Sequence, residues 1–206
     1  MTVKQKSMEM DQRFLEKDIE DIIDILKDIN NDDYLCISGS IPKGMDNNLY
    51  ARIISNLNNK PKIIVDADKE LLFNTLKYNP FMIKPNLDEL QSYFDIKISN
   101  KEEIKDYLLK LKNLGAKNVL CSLGKDGALL LDENDNLYYQ NTIEGKTQNT
   151  VGSGDGMIAG FIHDYNRNHN YESALKMAVA CGSATAFSSS LADKDKISEI
   201  YNLLNK

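Results

Sequence analysis

The sequence predicts an α/β fold with three layers, α-β-α, in which a mostly parallel sheet lies between two layers of helices. Short apolar segments of strand length alternate with segments of helical periodicity along most of the 206 residues. The connections are short, and several strands run directly into loops rich in glycine, serine or charged residues. In open sheets of this kind, ligands bind at the carboxyl ends of the strands. The same loops are therefore the predicted location of a functional site.

The first half of the chain supplies repeated helix and strand units. A helix is predicted over 11–29, because its apolar residues recur at helical spacing. The apolar segments 34–37, 62–65 and 81–83 are predicted strands, since each is short and ends at a polar residue or loop. Further helices are predicted over 49–57, 69–76, 87–94 and 102–114.

The second half continues the pattern and adds a hairpin. The apolar segment 119–121 is a predicted strand. Strands over 128–131 and 137–139 are separated by the acidic, Asn-rich turn 132–136, which predicts an antiparallel pair. Helices are predicted from about 157 onward, over 171–183 and over 196–204.

Composition narrows the class of protein. A hydrophobic content of 42% with 27% charged residues is typical of a globular domain, so we treat 1–206 as one domain with an N-terminal tail and helix over 1–30. The net charge of -6 argues against nucleic acid or an anionic membrane as the main partner. The first residues lack a signal-peptide core, and we expect a cytoplasmic protein. Cys36, Cys121 and Cys181 lie in apolar segments and are expected to be buried, reduced thiols.

The stretch Asn149–Gly156 is the strongest candidate for chemistry. Its three glycines and one serine stand immediately before an apolar helical pattern, and a helix start of this kind presents backbone N–H groups to an anion. Asp155 lies in the predicted first turn. Taken alone it is interpreted first as a helix cap, and second as the base that meets an acceptor hydroxyl where a phosphate arrives.

Asn86 and Glu89 open a predicted helix at the end of a strand. Their spacing matches a capping box, which is the structural interpretation. The functional interpretation is a site for Mg²⁺, which keeps several waters and takes few direct protein ligands. Both roles can hold together.

Other strand-end loops are candidates for contacts with a nucleotide or a sugar. The segment 122–127 is either a tight turn or a place where glycines admit a nucleotide, although it matches neither phosphate-binding glycine motif. The segment 38–44 is either a polar loop or a substrate loop that offers Ser40 and Lys43 to a sugar phosphate. The small residues over 178–184 indicate close helix packing, or a surface for a flat adenine ring.

Together and in this order, these stretches resemble the ribokinase-like (PfkB) family of carbohydrate kinases. Asn149–Gly156 is similar to the C-terminal signature of that family, and Asn86-Leu87-Asp88-Glu89 is similar to its Asn-x-x-Glu motif. Within the family the motifs look most like those of the 1-phosphofructokinase subgroup, from about Tyr34 to the C-terminus. The further matching motifs are Ser38-Gly39-Ser40-Ile41-Pro42, Val65-Asp66-Ala67, Ile83-Lys84-Pro85-Asn86, Ser122-Leu123-Gly124 and Ala178-Val179-Ala180-Cys181-Gly182.

The resemblance implies a role for each candidate residue. Asp155 would take the proton from the 6-hydroxyl of the sugar, and the amides of Gly152, Ser153 and Gly154 would form an anion hole for the transferring phosphoryl group. Asn86 and Glu89 would organise Mg²⁺ and the phosphates of ATP. The residues implied at the nucleotide site are Ser122, Gly124, Gly127, Thr150 and Ser183.

The reaction implied is the ATP-dependent, Mg²⁺-requiring phosphorylation of fructose 1-phosphate to fructose 1,6-bisphosphate. Tagatose-6-phosphate kinase shares most of the motifs and is the alternative enzyme; a non-catalytic nucleotide-binding fragment is the alternative of another class. Family members carry a longer N-terminal portion with a Gly-Gly substrate motif, sheet strands and a β lid. We expect this chain to lack that portion and to be the C-terminal, nucleotide-binding part. An exposed sheet surface would then favour association, for example as a homodimer.

Overall fold

A six-stranded sheet forms the centre of the computed structural model, which describes residues 16–41, 45–57 and 60–205. The strands lie side by side in chain order. They are β1 (Tyr34–Gly39), β2 (Lys62–Ala67), β3 (Met82–Ile83), β4 (Asn118–Ser122), β5 (Ala128–Leu131) and β6 (Leu137–Gln140).

Strands β1 to β4 are parallel to one another. Strand β5 runs antiparallel to both of its neighbours, β4 and β6. The mostly parallel sheet and the hairpin of β5 with β6 confirm the sequence-based predictions. Because β1 to β4 run the same way, their carboxyl ends meet at one edge of the sheet, which we call the carboxyl edge. Among the described strands β1 pairs only with β2, so the outer side of β1 is a sheet edge.

Helices connect and cover the strands. Residues 16–25 are helical (α1) and continue into the 3-10 turn Leu26–Asp28. The other helices are α2 (Leu49–Ser55), α3 (Lys69–Leu76), α4 (Leu87–Phe94), α5 (Lys101–Asn113), α6 (Ser153–Asn168), α7 (Tyr171–Ala186) and α8 (Lys194–Leu203). Each of α2 to α8 lies within a few residues of its predicted position, and the start of the helix predicted over 11–29 lies outside the described residues.

The alternation of side chains along the strands divides the core into two clusters. Val65 and Ile83 pack with apolar residues of α2 to α5 on one face of the sheet. Ile64 and Met82 point the other way and pack against α6 and α7. The sheet therefore lies between two helical layers, as predicted.

Two further observations bear on the expectations from composition. Cys121 and Cys181 are buried, but Cys36 is exposed, so the prediction of a buried thiol is wrong there. The reason is that Cys36 lies on the edge strand β1, where the described residues enclose its thiol only in part. None of the helices within the described ranges has the length and apolar character needed to cross a membrane.

Candidate active site

Helix α6 begins at the carboxyl edge of the sheet, and its first turn carries Asp155. Gly152 is the N-cap residue, in the left-handed conformation with φ 80°. Asp155 is exposed, and within the described part of the chain its carboxylate makes no hydrogen bond or ion pair. It therefore does not act as a helix cap in this structure. The carboxylate remains free to accept a proton.

The backbone amides of this turn are only partly used. The Ser153 amide donates to the Thr150 carbonyl at 3.2 Å, and the Gly156 amide donates to the Gly152 carbonyl at 2.8 Å. The amides of Gly152 and Gly154 have no acceptor within the described residues. Of the three amides predicted to form an anion hole, these two are the available donors.

Beneath this turn lies an ion pair for whose residues no role is predicted from the sequence. Lys84 is buried, and its Nζ lies 3.0 Å from Oδ2 of Asp66 on the neighbouring strand. Burial raises the pKa of the Asp66 carboxyl, the Lys84 ammonium opposes that rise, and the Asp155 carboxylate adds to it. The signal in the sequence was a charged residue at the end of each of two adjacent strands.

A cavity of about 740 Å³ opens beside the start of α6. It extends over the ends of β3 and β4, the turn after β4, the segment 142–150 and one side of α7. It brings together most of the residues that the sequence assigned to nucleotide and phosphate. Those lining it are Asn86, Ser122, Gly124, Gly127, Thr150, Ser153, Gly154 and Ser183, together with Lys84.

The other predicted residues that the structure describes do not line this cavity. The start of α6 carries Gly152 and Asp155, and the start of α4 carries Glu89. None of these three residues is part of the cavity wall. Ser40 is exposed after β1, on the far side of Asp66 from the cavity, and Lys43 lies outside the described residues. The charge of Asp155 contributes to the raised pKa of both Asp66 and Cys36, after burial as the main cause.

The two glycines of the turn after β4 differ in what they face. A Cβ at Gly124 would have no atom within 4 Å, so this position opens onto the cavity. A Cβ at Gly127 would lie 2.0 Å from the Gln140 carbonyl oxygen, so the close pairing of β5 and β6 already requires glycine there. The structure thus gives Gly127 a packing reason that is independent of any ligand.

The far end of the cavity is mainly apolar, with one hydrogen-bonded pair of hydroxyls. Thr142 Oγ1 and Ser183 Oγ lie 2.6 Å apart and join the segment after β6 to α7. Ala178, Ala180 and Ala184 are fully buried, which supports the interpretation of close helix packing for the alanines. Other residues of the same part of α7 face the cavity, where a flat ring could lie; they are Val179, Gly182, Ser183 and Ala186.

The start of α4 forms a complete capping box. The Glu89 amide donates to Asn86 Oδ1, and the Asn86 amide donates to Glu89 Oε2, both at 2.8 Å. Glu89 Oε1 and the Asn86 side-chain nitrogen make no hydrogen bond within the described residues. No group of three or more His, Cys, Asp or Glu side chains in the described ranges could enclose a metal ion. This donor set fits only an ion that takes most of its ligands from water and phosphate.

Comparison with known proteins identifies the family of the chain. The family model described as "pfkB family carbohydrate kinase" matches residues 1–197. The chain belongs to this family. The match begins before Tyr34, so it extends further toward the N-terminus than the motifs that carry the resemblance.

Several known kinases are similar to the chain over most of its length. The 1-phosphofructokinase of Bacillus subtilis (strain 168) is 31% identical over 186 residues, which cover 90% of this chain and 61% of that protein. The D-tagatose-1-phosphate kinase of Bacillus licheniformis is 37% identical over 182 residues, covering 87% and 60%. The solved structure of Escherichia coli phosphofructokinase-2 in complex with substrates and products superposes with a TM-score of 0.85 at 28% identity, covering 93% and 63%. The chain therefore spans about 60% of the length of these relatives.

Proposed function

We propose that the chain is the nucleotide-binding part of a sugar-phosphate kinase that transfers the terminal phosphoryl group of ATP to the 6-hydroxyl of fructose 1-phosphate. The products are ADP and fructose 1,6-bisphosphate. The observation that carries the proposal is the start of α6, where two amides and the Asp155 carboxylate have no partner within the described residues and lie beside a cavity that Lys84 lines. Sugar kinases of the PfkB family use ATP as the phosphate donor.

In the proposed reaction Asp155 accepts the proton of the acceptor hydroxyl. The hydroxyl oxygen forms a bond to the terminal phosphorus of ATP while the bond from that phosphorus to the bridging oxygen of ADP breaks. The Gly152 and Gly154 amides donate hydrogen bonds to the transferring group, on which negative charge is concentrated. The positive end of the helix dipole acts in the same direction.

The nucleotide would lie in the cavity with its phosphates toward α6. Lys84 and the Asn86 side-chain nitrogen supply donors near the phosphates, and the far apolar end accommodates the base beside Ser183. Glu89 and Asn86 would hold Mg²⁺ through water and phosphate oxygens, and the ion would offset the charge of the phosphates. Ser40 and Lys43 are the proposed contacts to the sugar phosphate, on the β1 side.

A second acceptor is favoured by one observation. The D-tagatose-1-phosphate kinase, at 37% identity, matches as well as the 1-phosphofructokinases do. Both of these names place the existing phosphate on carbon 1, which supports a ketohexose 1-phosphate as the acceptor class. Tagatose 6-phosphate is the alternative predicted from the sequence, and its phosphate is on carbon 6. The test therefore compares three sugar phosphates: fructose 1-phosphate, tagatose 1-phosphate and tagatose 6-phosphate.

The test is an ADP-release assay on the purified chain with Mg·ATP and each of the three sugar phosphates. Turnover is expected with fructose 1-phosphate, and Asp155→Asn is expected to lower kcat about 10²- to 10⁴-fold with little change in ATP affinity. Asp195→Asn, in the first turn of α8, is the matched control and should leave both unchanged. Turnover that survives Asp155→Asn would contradict the proposed base.

Calorimetry separates the kinase from the non-catalytic alternative. Mg·ATP binding without turnover on any of the three sugars would favour a nucleotide-binding fragment that works with a separate chain. If the chain did not bind Mg·ATP, both proposals would be wrong.

A further inference from the structure

The buried ion pair of Asp66 and Lys84 requires an explanation that stability does not supply. The Lys84 side chain is 7% exposed and the Asp66 side chain 20% exposed. Lysine is rarely buried, and a buried ion pair usually stabilises a protein no more than well-packed apolar residues of the same volume. A pair kept at this depth points to a role for its charges.

The sheet register places the two charges side by side. Val65 on β2 pairs with Ile83 on β3, and the Lys84 amide donates to the Val65 carbonyl at 3.1 Å. Asp66 and Lys84 are each one residue further along these parallel strands. Since side chains alternate along a strand, they share the face of Ile64 and Met82, which pack against α6 and α7. The pair therefore lies between the sheet and α6.

The first turn of α6 lies against this pair. A Cβ at Gly154 would come within 2.9 Å of Lys84 Nζ and 3.6 Å of Asp66 Oδ2. A helix start carries partial positive charge, and here two amides have no acceptor within the described residues. The Lys84 ammonium group is thus held close to the partial positive charge of the helix start. Only an anion at this place would be attracted by both the ammonium group and the amides.

The strand that carries Asp66 is itself anchored. The hydroxyl of the buried Tyr93, on α4, donates to the carbonyl of Ala67 at 3.1 Å. The same helix α4 begins with the capping box of Asn86 and Glu89. One helix therefore supports both the residue next to Asp66 and the start of the cavity wall.

We propose that Asp66 is a positioning residue, which holds the Lys84 ammonium beneath Gly154, where it attracts the terminal phosphates of the nucleotide. The inference rests on the proposed function and deepens it, because it assigns a task to a side chain that does not line the cavity. Lys84, which does line the cavity, makes the contact with the phosphates. Asp66 acts through Lys84.

The experiment compares the affinities of the chain for Mg·ATP and for adenosine, which lacks phosphate. Asp66→Asn is expected to weaken Mg·ATP binding about 10- to 100-fold, the effect of one hydrogen bond to a charged group, and to leave adenosine binding unchanged. Asp66→Glu, which keeps the charge, should restore most of the Mg·ATP affinity. Asp195→Asn is the control and should alter neither affinity.

Gly154→Ala provides a second variant that leaves both charges in place. Its added methyl group would displace the Lys84 ammonium, so Mg·ATP affinity should fall while adenosine affinity stays the same. This variant also tests the inference if Asp66→Asn does not fold.

Two outcomes would overturn the inference. Asp66→Asn could leave the ratio of the two affinities as in the wild type, either with both unchanged or with both lowered equally, as expected of a residue that only supports the fold. Alternatively, Asp66→Glu could fail to restore Mg·ATP affinity in a folded protein. A wild-type chain that binds adenosine but not Mg·ATP would instead contradict the proposed function itself.

Discussion

Two carboxylates at opposite ends of the strands, the partly buried Asp66 and the buried Asp132, have opposite surroundings. Asp66 ends β2 at the carboxyl edge, where its carboxylate has one ionic partner, Lys84. Asp132 follows β5, which runs antiparallel and ends at the other edge. It accepts hydrogen bonds from the Asn134 amide, the Asn136 amide and side chain, and the Tyr138 hydroxyl.

The difference appears in the acidity of the two groups. At Asp132 burial opposes ionisation, but the hydrogen bonds from Asn136, Asn134 and Tyr138 outweigh it and hold the pKa below its ordinary value. At Asp66 burial dominates over Lys84, and the pKa is raised. A carboxylate with a full set of donors closes a turn, whereas Asp66, paired with Lys84, holds a charged group at the wall of the cavity.

The largest expected effect comes from breaking the ion pair. Lys84→Met and Asp66→Asn should each lower the free energy of unfolding by about 3–5 kcal/mol at neutral pH, because each leaves one buried polar or charged group without its partner. The double variant should be about as stable as the wild type. Urea denaturation of the four proteins measures this, and a double variant whose losses simply add would show that the two side chains do not interact and would contradict this expectation.

Substitution of Asp132 is expected to lower the free energy of unfolding by a smaller amount, which depends on pH. Asp132→Asn should cost about 1–3 kcal/mol at pH 7, because backbone donors in the turn lose a charged acceptor. A lowered folded pKa gives stability that is present above the unfolded value of about 3.9 and is lost as pH falls through the folded pKa. The difference between wild type and variant should therefore narrow below about pH 4. A difference that stays constant from pH 7 to pH 3 would contradict this assignment.

The smallest effect comes from a matched pair of tyrosine variants. Tyr138→Phe removes one donor to Asp132, and Tyr93→Phe removes the donor to the Ala67 carbonyl. Each should cost about 0.5–1.5 kcal/mol in thermal or urea unfolding. Only Tyr93→Phe should weaken Mg·ATP binding, since only Tyr93 supports the strand end beside Lys84. If the two variants changed Mg·ATP affinity equally, the proposed difference between the surroundings of Asp66 and those of Asp132 would be wrong.

The elements of the fold could be predicted from the sequence because periodicity and strand-end loops are local signals. The long helix α5 and the hairpin of β5 with β6 are examples, each marked by its own residues. The pairing of Asp66 with Lys84 could not be predicted in this way. It depends on the register between two strands, which no local pattern specifies.

The candidate site shows the same limit. The stretch Asn149–Gly156 was found from its glycines, but which amides remain free depends on the turn in which Ser153 donates to Thr150. The exposure of Cys36 depends on what covers the sheet edge. The requirement for glycine at position 127 depends on the close approach of the Gln140 carbonyl at the end of β6. Each of these is a contact between residues that are distant in sequence or set by backbone geometry.

The exposed thiol of Cys36 offers an experimental handle on the site. The other two cysteines, Cys121 and Cys181, are buried, so a thiol-reactive fluorophore should attach at Cys36 alone. Partial enclosure, with the nearby charge of Asp155 as the second cause, raises the pKa of this thiol, and labelling should therefore be faster in mildly alkaline buffer. A dye at this position would lie close to Asp155, where its emission could report the arrival of a sugar phosphate without any engineered residue.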